Sequence, residues 1–136
     1  MITVADTSGL LALFNDSEPA HPRIRTHVDR LDSPLVVSPF VLAELDYLLA
    51  KRLGPATEIQ VMEELSGGAY DLASLDHTDL ANCVSIISRY QDQRIGLTDA
   101  SLVVLADRHQ TDSVLTLDRR HFTVMTPLRG GHFLLP

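Results

Sequence analysis

Apolar residues in this chain occur in two rhythms, short unbroken runs and longer stretches where they recur every three or four positions. Unbroken or alternating runs bounded by turn residues predict strands, and the longer period predicts helices. Ile2-Thr3-Val4-Ala5, Leu35-Val36-Val37, Tyr70 to Leu75, Val114-Leu115-Thr116-Leu117 and His132-Phe133-Leu134-Leu135 fall in the first class. Helices are predicted over Leu10 to Phe14, His21 to Leu31, Pro39 to Leu53, Ala56 to Leu65, Asp76 to Gln91, and from Thr98 to about His109. Ser38-Pro39 supplies a cap followed by a proline, and Gly54-Pro55 a stop. Asp76 or Thr78 opens the next long helix, whose Leu80, Val84, Ile87 and Tyr90 form the expected buried stripe. In the helix before, Ile59, Met62 and Leu65 share one side, and Phe122 is expected to plug into the core. Strands alternating with helices predict an α/β sandwich around a mostly parallel sheet.

The stretch Asp99-Ala100-Ser101-Leu102-Val103-Val104-Leu105-Ala106 is apolar on nearly every side, and such a helix is normally sunk in a core. Asp99 nevertheless stands in its first turn, where the positive end of the helix dipole favours a carboxylate and Thr98 can cap. Asp6 ends the first apolar run and Asp118 the fourth. In open parallel sheets, ligands bind beyond the carboxyl ends of the strands. Glu44 lies in the Pro39 helix beside Val41, Leu45, Leu48 and Leu49, so partial burial is expected, with Arg52 or Lys51 as salt-bridge partners in the plainest reading. A turn aspartate that caps the following helix is the equally plain reading of Asp6.

The 136 residues are expected to form one domain over 1–136, and a 45% hydrophobic content supports a core. A single cysteine, Cys83, excludes an internal disulfide, and it and the histidines show no zinc spacing. No apolar run approaches the roughly 18 residues of a membrane span, and no signal peptide precedes the first run, so no membrane association and a cytoplasmic location are expected. The net charge of −7 argues against a large basic nucleic-acid footprint. A nuclease stays open, because a cluster of metal-binding acids is itself a source of negative charge. Arg89, Arg94, Arg119 and Arg120 are secondary candidates for gripping phosphates.

If right-handed βα units bring Asp6, Glu44, Asp99 and Asp118 to one edge, they cannot share it cheaply. Two carboxylates about 5 Å apart at an effective dielectric near 20 repel by roughly 3 kcal/mol. Either some protonate or a cation neutralises them. The donors are hard oxygens, with no His or Cys expected beside them, which favours Mg²⁺, with Mn²⁺ possible, over zinc. The chemistry this suggests is metal-assisted phosphodiester hydrolysis.

Asp6-Thr7-Ser8 after an apolar strand, Glu44 in a Pro39-initiated helix, Leu97-Thr98-Asp99-Ala100 opening an apolar helix, and Thr116-Leu117-Asp118 followed by His121-Phe122 together resemble a PIN domain. The chain's size and its Pro127-Leu128…Gly130-Gly131…Leu135-Pro136 ending are most similar to VapC toxins of bacterial toxin–antitoxin pairs. The resemblance implies a three-layer α/β/α sandwich with about five strands and a metal-dependent endoribonuclease whose catalytic and metal-binding quartet falls on Asp6, Glu44, Asp99 and Asp118. It further implies an RNA substrate, a neutralising cognate antitoxin and a homodimer, with Thr7 or Ser8 and Thr116 as supporting hydroxyls. Some relatives carry another acid just past the last Asp, where this chain has Arg119 and Arg120. Two rival readings compete. A phosphoacceptor or phosphatase-like module would need a lysine near the acids, and Lys51 is poorly placed; a silent PIN-like scaffold would only bind RNA or a partner.

Overall fold

Three short runs of small and β-branched residues set the centre of the molecule. In the computed structural model, which describes residues 1–136, β1 (Thr3–Ala5), β2 (Leu35–Val37) and β4 (Ser113–Leu115) are wholly buried. Strands covered on both faces read as continuous apolar runs, as these do. With β3 (Asp71–Leu72) at one edge, the sheet has four strands in the order β3-β2-β1-β4, all parallel, with Val4 paired to Val36 on one side and Val114 on the other. Seven helices flank it: α1 (Thr7–Phe14), α2 (His21–Asp29), α3 (Pro39–Leu53), α4 (Pro55–Ser66), α5 (His77–Arg89), α6 (Leu97–Arg108) and α7 (Arg119–Val124).

β3 is only Asp71–Leu72, shorter than the predicted run, and both residues are exposed because this edge strand pairs with β2 alone. The predicted fifth strand is reduced to a single bridge between Ser113 and Leu134. There Leu134 N–H donates to the Asp112 carbonyl (2.8 Å) and Val114 N–H to that of Leu134 (3.0 Å). The next donor in that ladder would be residue 136, a proline without an N–H, so pairing ends.

α6 is buried from Ala100 through Ala106, as its all-round apolar sequence requires. Its N-cap is Gly96 rather than Thr98, which lies inside the first turn. The stripe predicted for α5 holds for Ile87 and Tyr90 and fails for Leu80 and Val84. Cys83 and Ile86 are buried, Ile87 and Tyr90 half-buried, while Leu80 (46% exposed) and Val84 (56%) face outward. Positions 83, 86, 87 and 90 satisfy the helical period as well as the predicted set does, and packing against α6 selects them. In α4, likewise, Val61 and Leu65 are buried and Ile59 is exposed. Phe122 seats in the core, edge-on to Phe133 with ring centroids 5.7 Å apart. Cys83 is a buried free thiol whose pKa burial raises. No helix is long and apolar enough to cross a membrane.

Candidate active site

The carboxyl end of β1 runs directly into Asp6, which caps α1: the Thr7 N–H donates to its Oδ1 (2.8 Å). The capping reading of this residue therefore holds. Its other oxygen accepts from Thr116 Oγ1 (2.7 Å) and Ser8 Oγ (3.1 Å). Those hydroxyls also accept backbone N–H groups from the neighbouring strand end, Asp118 onto Thr116 Oγ1 and Leu117 onto Ser8 Oγ, each at 2.9 Å. Thr116 thus ties the Asp6 carboxylate to the backbone of Asp118. Asp118 in turn caps α7, accepting from the His121 N–H (3.1 Å). Gly9 permits the close fit, since a Cβ there would stand 2.2 Å from the Leu115 carbonyl oxygen.

Asp6, Glu44, Asp99 and Asp118 all line one cavity of about 490 Å³, together with Thr7, Ser8, Arg52, Arg94 and His121. Each acid comes from a different element: the end of β1, α3, the first turn of α6 and the cap of α7. Burial is the main force on the first and third. It pushes Asp6 above the usual carboxylate range against the pull of its hydrogen bonds, with the Asp118 charge adding to the rise. Asp99 is pushed up to about 6, by burial first and then by repulsion from Asp6, while His121 and a Gly96 backbone hydrogen bond restrain it.

Two expectations are corrected. Glu44 is exposed, not half-buried, because the buried stripe of α3 is Val41, Leu45 and Leu49 and Glu44 sits at its rim; neither Arg52 nor Lys51 forms a salt bridge with it. The acids also do have a histidine beside them: His121 Nδ1 lies 3.0 Å from Asp118 Oδ2 and 3.4 Å from Asp99 Oδ2. The i,i+3 spacing of Asp118 and His121 in a capped helix was the signal for it. Of the arginines singled out in the sequence, Arg94 alone lines the cavity; Arg119 donates to the Pro136 carbonyl (2.7 Å). Arg52 joins Arg94 there. Lys51 does not, its Nζ lying 5.6 Å from the Tyr47 ring centroid, which leaves the phosphoacceptor reading without its lysine.

No three Asp, Glu, His or Cys groups are gathered closely enough to form a ready ligand set. The donor chemistry still fits a hard divalent cation. The available groups are mostly carboxylate oxygens and hydroxyls, the one imidazole, His121, having its Nδ1 engaged with Asp118 and Asp99, and Thr7 Oγ1 is buried at the cavity without a hydrogen-bond partner. Mg²⁺ is ordinarily held by one or two carboxylates with water filling the remaining positions, so a loosely spaced set meets its needs.

A family model described as PIN domain matches residues 3–125. Ribonuclease VapC26 of Mycobacterium tuberculosis is 49% identical over 130 residues, covering 96% of each chain. Among solved structures, M. tuberculosis VapC20, described as a sarcin–ricin loop cleaving toxin, superposes with a TM-score of 0.80 at 16% identity, covering 87% of this chain and 91% of that one. VapBC2 of Rickettsia felis, bound to a promoter DNA fragment, gives 0.71 at 15% identity over 100% and 98%. A toxin–antitoxin complex from Klebsiella pneumoniae gives 0.69 at 18% over 92% and 97%. At such identities these structural likenesses speak for the fold.

Proposed function

This chain belongs to the PIN-domain family, and on that premise we propose that it is a divalent-metal-dependent endoribonuclease, the toxin of a toxin–antitoxin pair. One observation carries the reading: Asp6, Glu44, Asp99 and Asp118, brought from four separate elements, face one solvent-open cavity. In this reading Asp6, Asp99 and Asp118 would hold Mg²⁺, or Mn²⁺ in its place. When bound, the cation would lower the pKa of water and offset negative charge on the departing oxygen. Glu44, exposed at the rim, orients the attacking water and takes its proton. Thr116 and Ser8 keep Asp6 ionisable and fixed relative to Asp118. Water adds to phosphorus, one phosphorus–oxygen bond breaks, and the departing oxygen leaves as a hydroxyl after taking up a proton.

The substrate class is RNA, as in the name of the 49% identical relative. The solved toxin–antitoxin complexes of like fold support a cognate antitoxin as partner. We extend the proposal to a homodimer of 136-residue single-domain chains acting in the cytoplasm. The test is incubation of the purified chain with RNA in Mg²⁺, in Mn²⁺ and in EDTA. Cleavage in metal alone, abolished by Asp6→Asn and Asp99→Asn in folded protein, is expected. Cleavage that persists in EDTA, or none in either metal, would overturn the assignment.

A further inference from the structure

RNA is a polyanion, and both the chain's net charge of −7 and the acids lining the cavity repel it. Cations lining the cavity must therefore do the gripping, and five of the ten arginines are already engaged elsewhere. Arg25 pairs with Asp29, Arg108 with Asp79 and Arg129 with Asp112, while Arg23 and Arg119 both donate to the Pro136 carbonyl. Arg52 and Arg94 are the two that line the cavity, and neither side chain has a hydrogen bond or ion pair within the chain.

Their backbones aim them there. Glu44, Leu48 and Arg52 follow one another at intervals of four along α3 and all three line the cavity, so the helix carries one guanidinium along the same face as the rim carboxylate. Arg94 has φ 56 and ψ 36, a left-handed conformation disfavoured for a residue with a Cβ. It stands between the turn Gln91–Gln93 and Gly96, the cap of α6, where glycine would cost nothing. A strained residue that projects an unpaired cation into a polar cavity points to function rather than folding.

Resting on the endoribonuclease reading, we propose that Arg52 and Arg94 are the phosphate-gripping residues that hold the RNA backbone in the cavity beside the acidic centre. A guanidinium suits the task, being always charged and able to donate two parallel hydrogen bonds to one phosphate.

The test measures binding of a labelled single-stranded RNA by anisotropy in EDTA, where cleavage is withheld, over a series of salt concentrations. Arg52→Ala and Arg94→Ala are each expected to weaken binding about tenfold and to lower the slope of log affinity against log salt by about 0.7. Arg52→Lys and Arg94→Lys keep the slope. Arg94→Gly loses as much binding as Arg94→Ala while melting no lower than it, since glycine relieves the left-handed backbone. Arg30→Ala, exposed and outside the cavity, leaves binding unchanged. Wild-type binding to RNA that the two alanine variants reproduce, an equal loss in Arg30→Ala, or no wild-type binding would overturn the clamp. A wild type that binds through both arginines yet cleaves in no metal would instead overturn the nuclease reading and leave the clamp standing.

Discussion

The two ends of one sheet solve the same problem in opposite ways. At the amino end of β1 and β4, polar groups are met by neutral or opposite partners. Thr3 and Ser113 share a buried hydroxyl contact of 2.9 Å, Thr111 donates to the Ile2 carbonyl, the amino terminus pairs with Asp32, and Asp112 with Arg129. At the carboxyl end the same two strands deliver Asp6 and Asp118 to a cavity that Asp99 also faces, and burial, with repulsion from neighbouring carboxylates added, raises the pKa of Asp6 and of Asp99. The core beneath is common to both ends. The amino end is thus built for stability, whereas at the carboxyl end no Lys or Arg pairs with Asp6, Asp99 or Asp118 and only His121 stands beside the last two, a cost that binding a cation would remove.

That contrast can be broken by substitution, beginning with the strongest effect. Asp6→Asn or Asp99→Asn should lower RNA cleavage by on the order of 100-fold or more with circular dichroism unchanged, whereas Thr3→Val at the other end should leave cleavage within about twofold. Gly9→Ala drives a Cβ into the Leu115 backbone; a loss of about 1–3 kcal/mol in denaturant unfolding is expected, with cleavage falling as α1 is pushed off β4. Thr116→Val removes a donor to Asp6 and an acceptor for Asp118 and should cost about 1–2 kcal/mol. NMR titration should then find the Asp6 carboxyl higher still, because a hydrogen bond that holds it down is gone.

The mildest effect concerns pH. In metal-free protein the native Asp99 keeps its proton up to about 6, whereas the unfolded one loses it near 3.8. Between those values the native state binds more protons, so stability falls as pH rises, and the full penalty is present above about 6. Asp99→Asn should therefore melt with wild type below that window and be stabler above it by about 1–2 kcal/mol, discounted for partial exposure. A variant less stable than wild type at pH 7 in EDTA would contradict the repulsive origin of the shift.

Much of this was legible because the two ends leave different marks in sequence. An apolar run stopping abruptly at Asp6, and an all-apolar helix with Asp99 in its first turn, are local patterns whose cause is burial, and the structure carries both. What escaped depends on which of two equivalent faces a partner helix selects. Leu80 and Val84 satisfy the helical period as well as Cys83 and Ile86 do, so only contact with α6 decides between them. Arg52 was legible as a helix-end charge, but its place on the Glu44 stripe becomes meaningful only once that stripe borders a cavity. His121 belonged to the motif that suggested the family, yet its nearness to Asp99 joins two distant parts of the chain and has no local signature.

Cation uptake by the carboxyl end of the sheet is the most direct test of the carboxylate cluster. Calorimetric titration of Mg²⁺ and Mn²⁺ into metal-free protein should give saturable binding that raises the melting temperature, and Asp6→Asn and Asp99→Asn should each weaken or abolish it. Wild-type protein that takes up neither ion, or variants that take them up as wild type does, would contradict it.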